Sequence, residues 1–238
     1  MGREAVKKWI ATINQWLKQG LPGYCAFCLA GRSSSAGWCD ECFALLPWNL
    51  HSCEQCAEPL AGVAGKRCSH CLTEPPSFTT TTVPLCYQDT ITSLVHDFKF
   101  HGSPRAGMLL VELMLSRCPS QMASALLPVP MYPGRAKERG FNQAQWLAER
   151  LGDRLDLPVM QAHCIKRLPS QRFLNRRERQ QNLAGAFMVD TEMPAHVTII
   201  DDVVTTGATG HALATVLLEQ GAKRVDIWAA ARTPLQKS

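Results

Sequence analysis

The stretch Val197-Thr198-Ile199-Ile200-Asp201-Asp202-Val203-Val204-Thr205-Thr206-Gly207-Ala208-Thr209 carries the fold. Four strand-forming residues run into paired aspartates, two valines and a Thr-Thr-Gly-x-Thr loop, after which a helical period begins. Open parallel sheets bind ligands beyond the carboxyl ends of their strands, where this loop sits. Gly207 permits a turn that aims backbone N–H groups at an anion. Thr205, Thr206 and Thr209 add hydroxyl donors, and a helix starting near Ala208 points its positive end at the same place. Two carboxylates repel a phosphate but accept hydrogen bonds from vicinal hydroxyls. A phosphate and a diol about one ribose apart describe a ribose 5-phosphate. The bland alternative is a strand–turn–helix with an acidic edge and a threonine-rich cap.

Outward from this loop, apolar strand-like runs alternate with helical periods. Candidate strands are Ala125–Pro130, Ala186–Val189, Val197–Asp201 and Arg224–Ala230; candidate helices are Thr90–Lys99, Gly107–Arg117, Asn142–Arg154 and Ala208–Gln220. Such alternation predicts an α/β domain, a parallel sheet flanked by helices. No run approaches the ~20 apolar residues of a membrane span. Residues 1–20 have amphipathic helical spacing rather than a signal peptide's apolar core, and read as a packed helix or as one that docks on a partner or membrane surface.

The cysteines set a second module before the sheet. Cys25 and Cys28, Cys39 and Cys42, Cys53 and Cys56, and Cys68 and Cys71 form four CxxC knuckles at nearly equal spacing. Two knuckles complete a tetrahedral thiolate zinc site, so eight cysteines hold two structural Zn2+ ions. Few large apolar residues lie in this region, so metal binding supplies most of its folding free energy. Sequential pairing of knuckles is expected over interleaved pairing. Disulfides are the competing reading, and a reducing cytoplasm argues against them. Cys86, Cys118 and Cys164 read as buried thiols. These boundaries divide the chain into residues 1–20, a double zinc ribbon at 21–75 and the α/β domain at 76–238.

Charge is concentrated. Between Lys166 and Asn182 there are six bases and one acid, an excess equal to the net +5 of the whole chain. A polyanion suits such a segment. Its Arg172, Arg176 and Arg177 read as a mobile lid, with a solvated basic helix as the alternative. A second basic stretch follows Pro128-Val129-Pro130. There Arg135, Lys137 and Arg139, with Gly134 and Gly140, read as an anion loop ahead of the helix that Asn142 opens.

The Asp201–Thr209 segment resembles the phosphoribosyl pyrophosphate signature of type I phosphoribosyltransferases. With the zinc ribbon, Phe98-Lys99-Phe100-His101-Gly102, Arg139-Gly140-Phe141-Asn142-Gln143, Asn182 and Ala231-Arg232, the chain resembles the ComF (competence protein F, GntX) family. The resemblance implies a type I phosphoribosyltransferase-like sheet that binds phosphoribosyl pyrophosphate with Mg2+. It implies that Asp201 and Asp202 hold the ribose hydroxyls while Val203 and Val204 lead into Thr205, Thr206, Gly207, Ala208 and Thr209 around the 5-phosphate. Arg135, Lys137, Arg139, Arg172, Arg176 and Arg177 are then candidates to offset the pyrophosphate charge. A cytoplasmic role with internalised single-stranded DNA, and helicase or channel partners, are further implications. Three classes stay open: a phosphoribosyltransferase of unknown acceptor, a single-stranded DNA binder, and a ribosyl pyrophosphate sensor that docks a partner. The acceptor hood is expected around Leu85–Gly107.

Overall fold

The computed structural model describes residues 23–31, 37–60, 66–166, 183 and 185–234. The expected helix over 1–20 lies outside them, as do Arg172, Arg176 and Arg177. In chain order the elements are α1 (Asp40–Ala44), α2 (Ser69–Thr73), β1 (Thr81–Thr82), β2 (Leu85–Cys86), α3 (Asp89–His101) and α4 (Pro104–Leu115). Then come β3 (Ala125–Pro128), α5 (Pro133–Arg139), α6 (Gln143–Leu155), β4 (His163–Cys164), β5 (Phe187–Met188), β6 (His196–Val204), α7 (Ala208–Glu219) and β7 (Arg224–Arg232). The chain forms two compact units, Met1–Leu46 and Pro47–Ser238. The first unit holds Cys25 to Cys42. The second holds Cys53 to Cys71 together with the whole sheet.

β6 and β7 are nine-residue strands with apolar centres, buried along most of their length on both faces. Runs of that kind are stable where both faces are covered, which is the environment of a parallel sheet. The sheet has the order β1-β7-β6-β3, with β2 also on β7, and every pairing is parallel. Val159 adds a parallel bridge to Leu126 at the far edge. The register runs from His196 opposite Arg224 to Val204 opposite Arg232. β6 therefore extends three residues past the expected Asp201 and carries both aspartates within paired strand. β5 lies within the expected strand Ala186–Val189, whereas β1 and β2, two residues each, and the antiparallel partner β4 lie outside the expected strands.

Successive strand residues point to opposite faces. Val197, Ile199, Val225, Ile227 and Ala229 share one core with Leu213, Ala214 and Leu217 of α7, with Phe78 and with Cys53, Cys56 and Cys71. The second knuckle pair is thus built into the sheet's own core. Next to the sheet α3, α4 and α6 meet around aromatic rings. Phe98 packs edge-on against Phe141 and Trp146, with ring centroids 5.4 and 5.2 Å apart. Gly102, at φ 60°, ends α3, and Ser103 caps α4 by accepting from the Ala106 N–H, so α4 turns back at once. That tight return presses Gly107 into the rings. A Cβ there would stand 2.7 Å from Phe98 Cε2 and 2.7 Å from Trp146 Cζ3.

Phe98 is buried, Trp146 is half-buried, and neither rigid ring can yield as the tip of an aliphatic chain does. Gly107→Ala is expected to lower unfolding stability by about 1–3 kcal/mol, as for other overpacked core sites. The denaturant midpoint should fall at unchanged slope; an unchanged midpoint would contradict the packing described.

Candidate functional site

The cysteine ligands converge in sequential pairs. The sulfurs of Cys25, Cys28, Cys39 and Cys42 all lie within 4.8 Å of one another, and so do those of Cys53, Cys56, Cys68 and Cys71. Cys28 and Cys39 are 3.8 Å apart and Cys56 and Cys68 are 3.6 Å apart. Zinc–thiolate bonds of ~2.3 Å place tetrahedral sulfurs ~3.8 Å from each other, so both sets fit Zn2+. Burial raises the Cys25 thiol, but N–H groups of Cys28, Phe27 and Cys39 outweigh it and bring it down to about 6. Cys53 comes down to about 7 in the same way, under N–H groups of Cys68, Cys56 and Gln55. Burial and the neighbouring sulfurs push Cys56 up to about 11. In each set one thiol is thus eased toward the thiolate form that a cation binds. Of the three thiols expected to be buried, Cys164 is buried and lines the cleft described next, Cys86 is half-buried, and Cys118 is exposed just past the end of α4.

The phosphate-type loop stands open at the carboxyl end of β6. Residues 205–207 form the turn, Thr205 is exposed, and Gly207 has φ 78°, the left-handed conformation that glycine adopts without strain. α7 begins at the next residue, and Thr206 Oγ1 accepts from the Ala208 N–H at 3.4 Å. Before the loop the aspartates brace their own strand. The Asp202 N–H donates to Asp201 Oδ1 at 2.9 Å, and the Val203 N–H to Asp202 Oδ1 at 2.6 Å. Burial first, and the Asp202 carboxylate second, push Asp201 up to about 8, against the pull of Lys99.

Across the cleft stand the basic groups. Lys99 Nζ pairs with Asp202 Oδ1 at 3.0 Å, with both side chains largely shielded from solvent. Arg135, Arg139, Asn142, Gln143 and Tyr132 line the same cleft with Asp201, Asp202 and Thr209. Arg139 Nη1 donates to Gln143 Oε1 at 3.2 Å, and its guanidinium lies 5.4 Å above the Phe100 ring. Lys137 is exposed and is not among the lining residues. The segment expected as an anion loop is the helix α5. Pro133 occupies its first turn and Gly140, at φ 83°, closes it, so residues that resemble loop formers serve as helix punctuation. The Asn142 side chain then caps α6, accepting from the Ala144 and Gln145 N–H groups while Nδ2 donates to the Val129 carbonyl at 3.0 Å. Lys99 and Gln143 join the site although neither is among the residues that the sequence marks for it. Lys99 comes from the expected hood and crosses to the aspartates from α3.

A family model described as "Double zinc ribbon domain" matches residues 16–72. The chain is 31% identical over 226 residues to DNA utilization protein YhgH of Salmonella typhi, which spans 90% of this chain and 98% of that protein. It is 30% identical over 210 residues to competence protein F of Haemophilus influenzae, covering 82% of this chain and 90% of that protein. The chain belongs to the competence protein F/YhgH family. Among solved structures, orotate phosphoribosyltransferase from Aeropyrum pernix aligns with 56% of this chain and 75% of that one, at 19% identity and a TM-score of 0.36.

In this competence protein F/YhgH family member the cleft gathers two carboxylates, three cations and Thr209 in the first turn of α7, the helix that the Gly207 turn opens. Such a site takes a ligand with both hydroxyl donors and anionic groups. Among the described residues no helix is long and apolar enough to cross a membrane.

Two outcomes are expected. The purified protein carries two zinc ions per chain by elemental analysis, and Cys25→Ser or Cys53→Ser each reduces the count to one; a count unmoved by either would contradict the pairing. The second concerns Asp201. With its pKa raised from the ordinary carboxylate value to about 8, Asp201 keeps in the folded protein a proton that the unfolded chain has lost. That contribution to stability is complete below about pH 4 and disappears as pH rises through about 8. Asp201→Asn therefore gains thermal stability over the wild type as pH is raised from about 5 to about 9; a difference independent of pH would count against the enclosed carboxyl pair.

Proposed function

We propose that this protein binds 5-phosphoribosyl pyrophosphate, or a similar ribose 5-phosphate ligand, at the carboxyl end of its sheet and transfers the phosphoribosyl group. One observation carries the proposal. The aspartate pair of β6, the left-handed Gly207 and the start of a twelve-residue helix follow one another along the chain, and Lys99, Arg135 and Arg139 line one cleft with the two aspartates and Thr209. The loop Thr205–Thr209 takes the 5-phosphate on main-chain and hydroxyl donors, and Asp201 and Asp202 take the ribose hydroxyls. Asp201 and Asp202 also offer the hard carboxylate oxygens that suit Mg2+, which when bound neutralises charge on the pyrophosphate.

Transfer breaks the bond from the anomeric carbon to the pyrophosphate oxygen and forms one to the acceptor. Pyrophosphate leaves with the bonding electrons. Positive charge grows on the sugar in the transition state and negative charge on the leaving group. Asp201 and Asp202 lie on the side that stabilises the sugar, and Arg135 and Arg139 on the side that stabilises the pyrophosphate. Lys99 holds Asp202 until the ligand arrives and offsets its negative charge, which would otherwise repel a polyphosphate. Arg172, Arg176 and Arg177 are proposed to close over the reacting groups. The family's competence and DNA-utilization members, with the basic Lys166–Asn182 segment, support a role alongside internalised single-stranded DNA in the cytoplasm.

Calorimetry of the zinc-loaded protein with phosphoribosyl pyrophosphate and Mg2+ tests this. Wild type is expected to bind, and Asp202→Ala to bind roughly 10- to 100-fold more weakly, the worth of a charged hydrogen bond. Equal affinities would remove the assignment of the diol. Binding without pyrophosphate release in the presence of any nucleobase or polynucleotide acceptor would leave a sensor in place of a transferase.

A further inference from the structure

A charged side chain lies sealed beneath the phosphate loop. Arg232, the last residue of β7, is fully buried. A buried guanidinium persists only where its charge is paired and its five donors are met. Nη2 pairs with Glu58 Oε2 at 2.8 Å. Nε donates to the carbonyl of Cys56 at 3.0 Å, so it grips the turn of the second knuckle pair. Nη1 donates to the carbonyls of Val204, at 3.2 Å, and of Thr205. One side chain thus joins the metal-binding turn to the two peptide groups that open the phosphate loop.

In a planar trans peptide the C=O and the following N–H point in opposite directions. A guanidinium that holds the carbonyls of Val204 and Thr205 therefore turns the N–H groups of Thr205 and Thr206 to the far side, away from the core. Those are the donors that the 5-phosphate reading requires. We propose that Arg232 is a positioning residue that presents these amides to the sugar's phosphate, and that the Cys53–Glu58 turn is the anchor it pulls against. The inference rests on the ligand reading above and deepens it. It gives the second knuckle pair a share in ligand affinity, where a ribbon would ordinarily supply only stability.

The anchor has a second attachment. Gln55, also in that turn, donates from Nε2 to the carbonyl of Phe78 at 3.1 Å, and the Phe78 ring lies 3.6 Å from where a Cβ on Gly207 would stand. The turn therefore supports the loop at both ends, through Arg232 at Thr205 and through Phe78 at Gly207.

Arg232→Lys keeps a charge for Glu58 but replaces the planar fork with a point charge that cannot hold all these carbonyls. Glu58→Gln leaves the fork but removes its counter-charge, and serves should the lysine variant fail to fold. Two measurements are made on each zinc-loaded variant whose unfolding remains cooperative. Affinity for ribose 5-phosphate is expected to fall roughly tenfold or more, while affinity for magnesium pyrophosphate stays as in wild type, because only the 5-phosphate uses these amides. Without any ligand, hydrogen exchange at residues 203–208 is expected to speed up relative to the rest of the sheet. Equal loss of both ligands, or unchanged ribose 5-phosphate affinity, overturns the positioning role. Unchanged exchange at 203–208 overturns it also if wild type binds neither ligand, a result that by itself counts against the ligand reading alone.

Discussion

The parallel pairing of β6 with β7 is the constraint on which the rest depends. Both strands are buried along almost their whole length, and their register from His196–Arg224 to Val204–Arg232 leaves no room for slippage, because a shift of one residue would send every core side chain to the other face. Since the strands run the same way, their carboxyl ends reach the same edge of the sheet. β6 delivers Asp201, Asp202 and the loop there; β7 delivers Arg232 beneath it. The shape of the loop is then a consequence of what the strands present, and the left-handed Gly207 lets the chain leave the strand and enter α7 within three residues.

Electrostatics at that edge are arranged in opposition. Two adjacent carboxylates in a partly enclosed cleft resist ionising together: Lys99, from a helix about 100 residues earlier in the chain, pairs with Asp202, and Asp201 is pushed toward its protonated form. The cleft is thereby kept from being wholly acidic or wholly basic. Arg139 is held between the Phe100 ring and the Gln143 amide, so its position is fixed from two sides before any ligand arrives.

Features whose chemistry is local in the chain were legible in the sequence. The CxxC knuckles declare themselves by spacing, and their sequential convergence follows because neighbouring turns meet most readily. The Asp-Asp-Val-Val-Thr-Thr-Gly segment is likewise a contiguous strand, turn and helix start. Features that depend on distant partners were not. Lys99 reads as one base among the polar residues of an amphipathic helix, and only the turn at Gly102–Ser103 and the packing of Phe98 aim it at Asp202. Arg232 reads as the polar end of an apolar strand, because nothing nearby in sequence announces Glu58 or Cys56. α5 was hidden by its own punctuation, as Pro133 and Gly134 signal a loop as readily as the first turn of a helix. β1 and β2 are too short to show a period, and their pairing is imposed by the open edge of β7. The division of the two knuckle pairs between compact units is also invisible in composition, since both pairs look alike.

The central claim is that the amides and hydroxyls of 205–209 hold a terminal phosphate while Asp201 and Asp202 hold a diol. Diffraction from crystals of the zinc-loaded protein grown with ribose 5-phosphate tests it most directly. The account predicts phosphate density within hydrogen-bond reach of the Thr205–Thr209 donors, with the O2′ and O3′ hydroxyls on the two aspartates. Phosphate density against Arg135 and Arg139, with the 205–209 loop untouched, would contradict it.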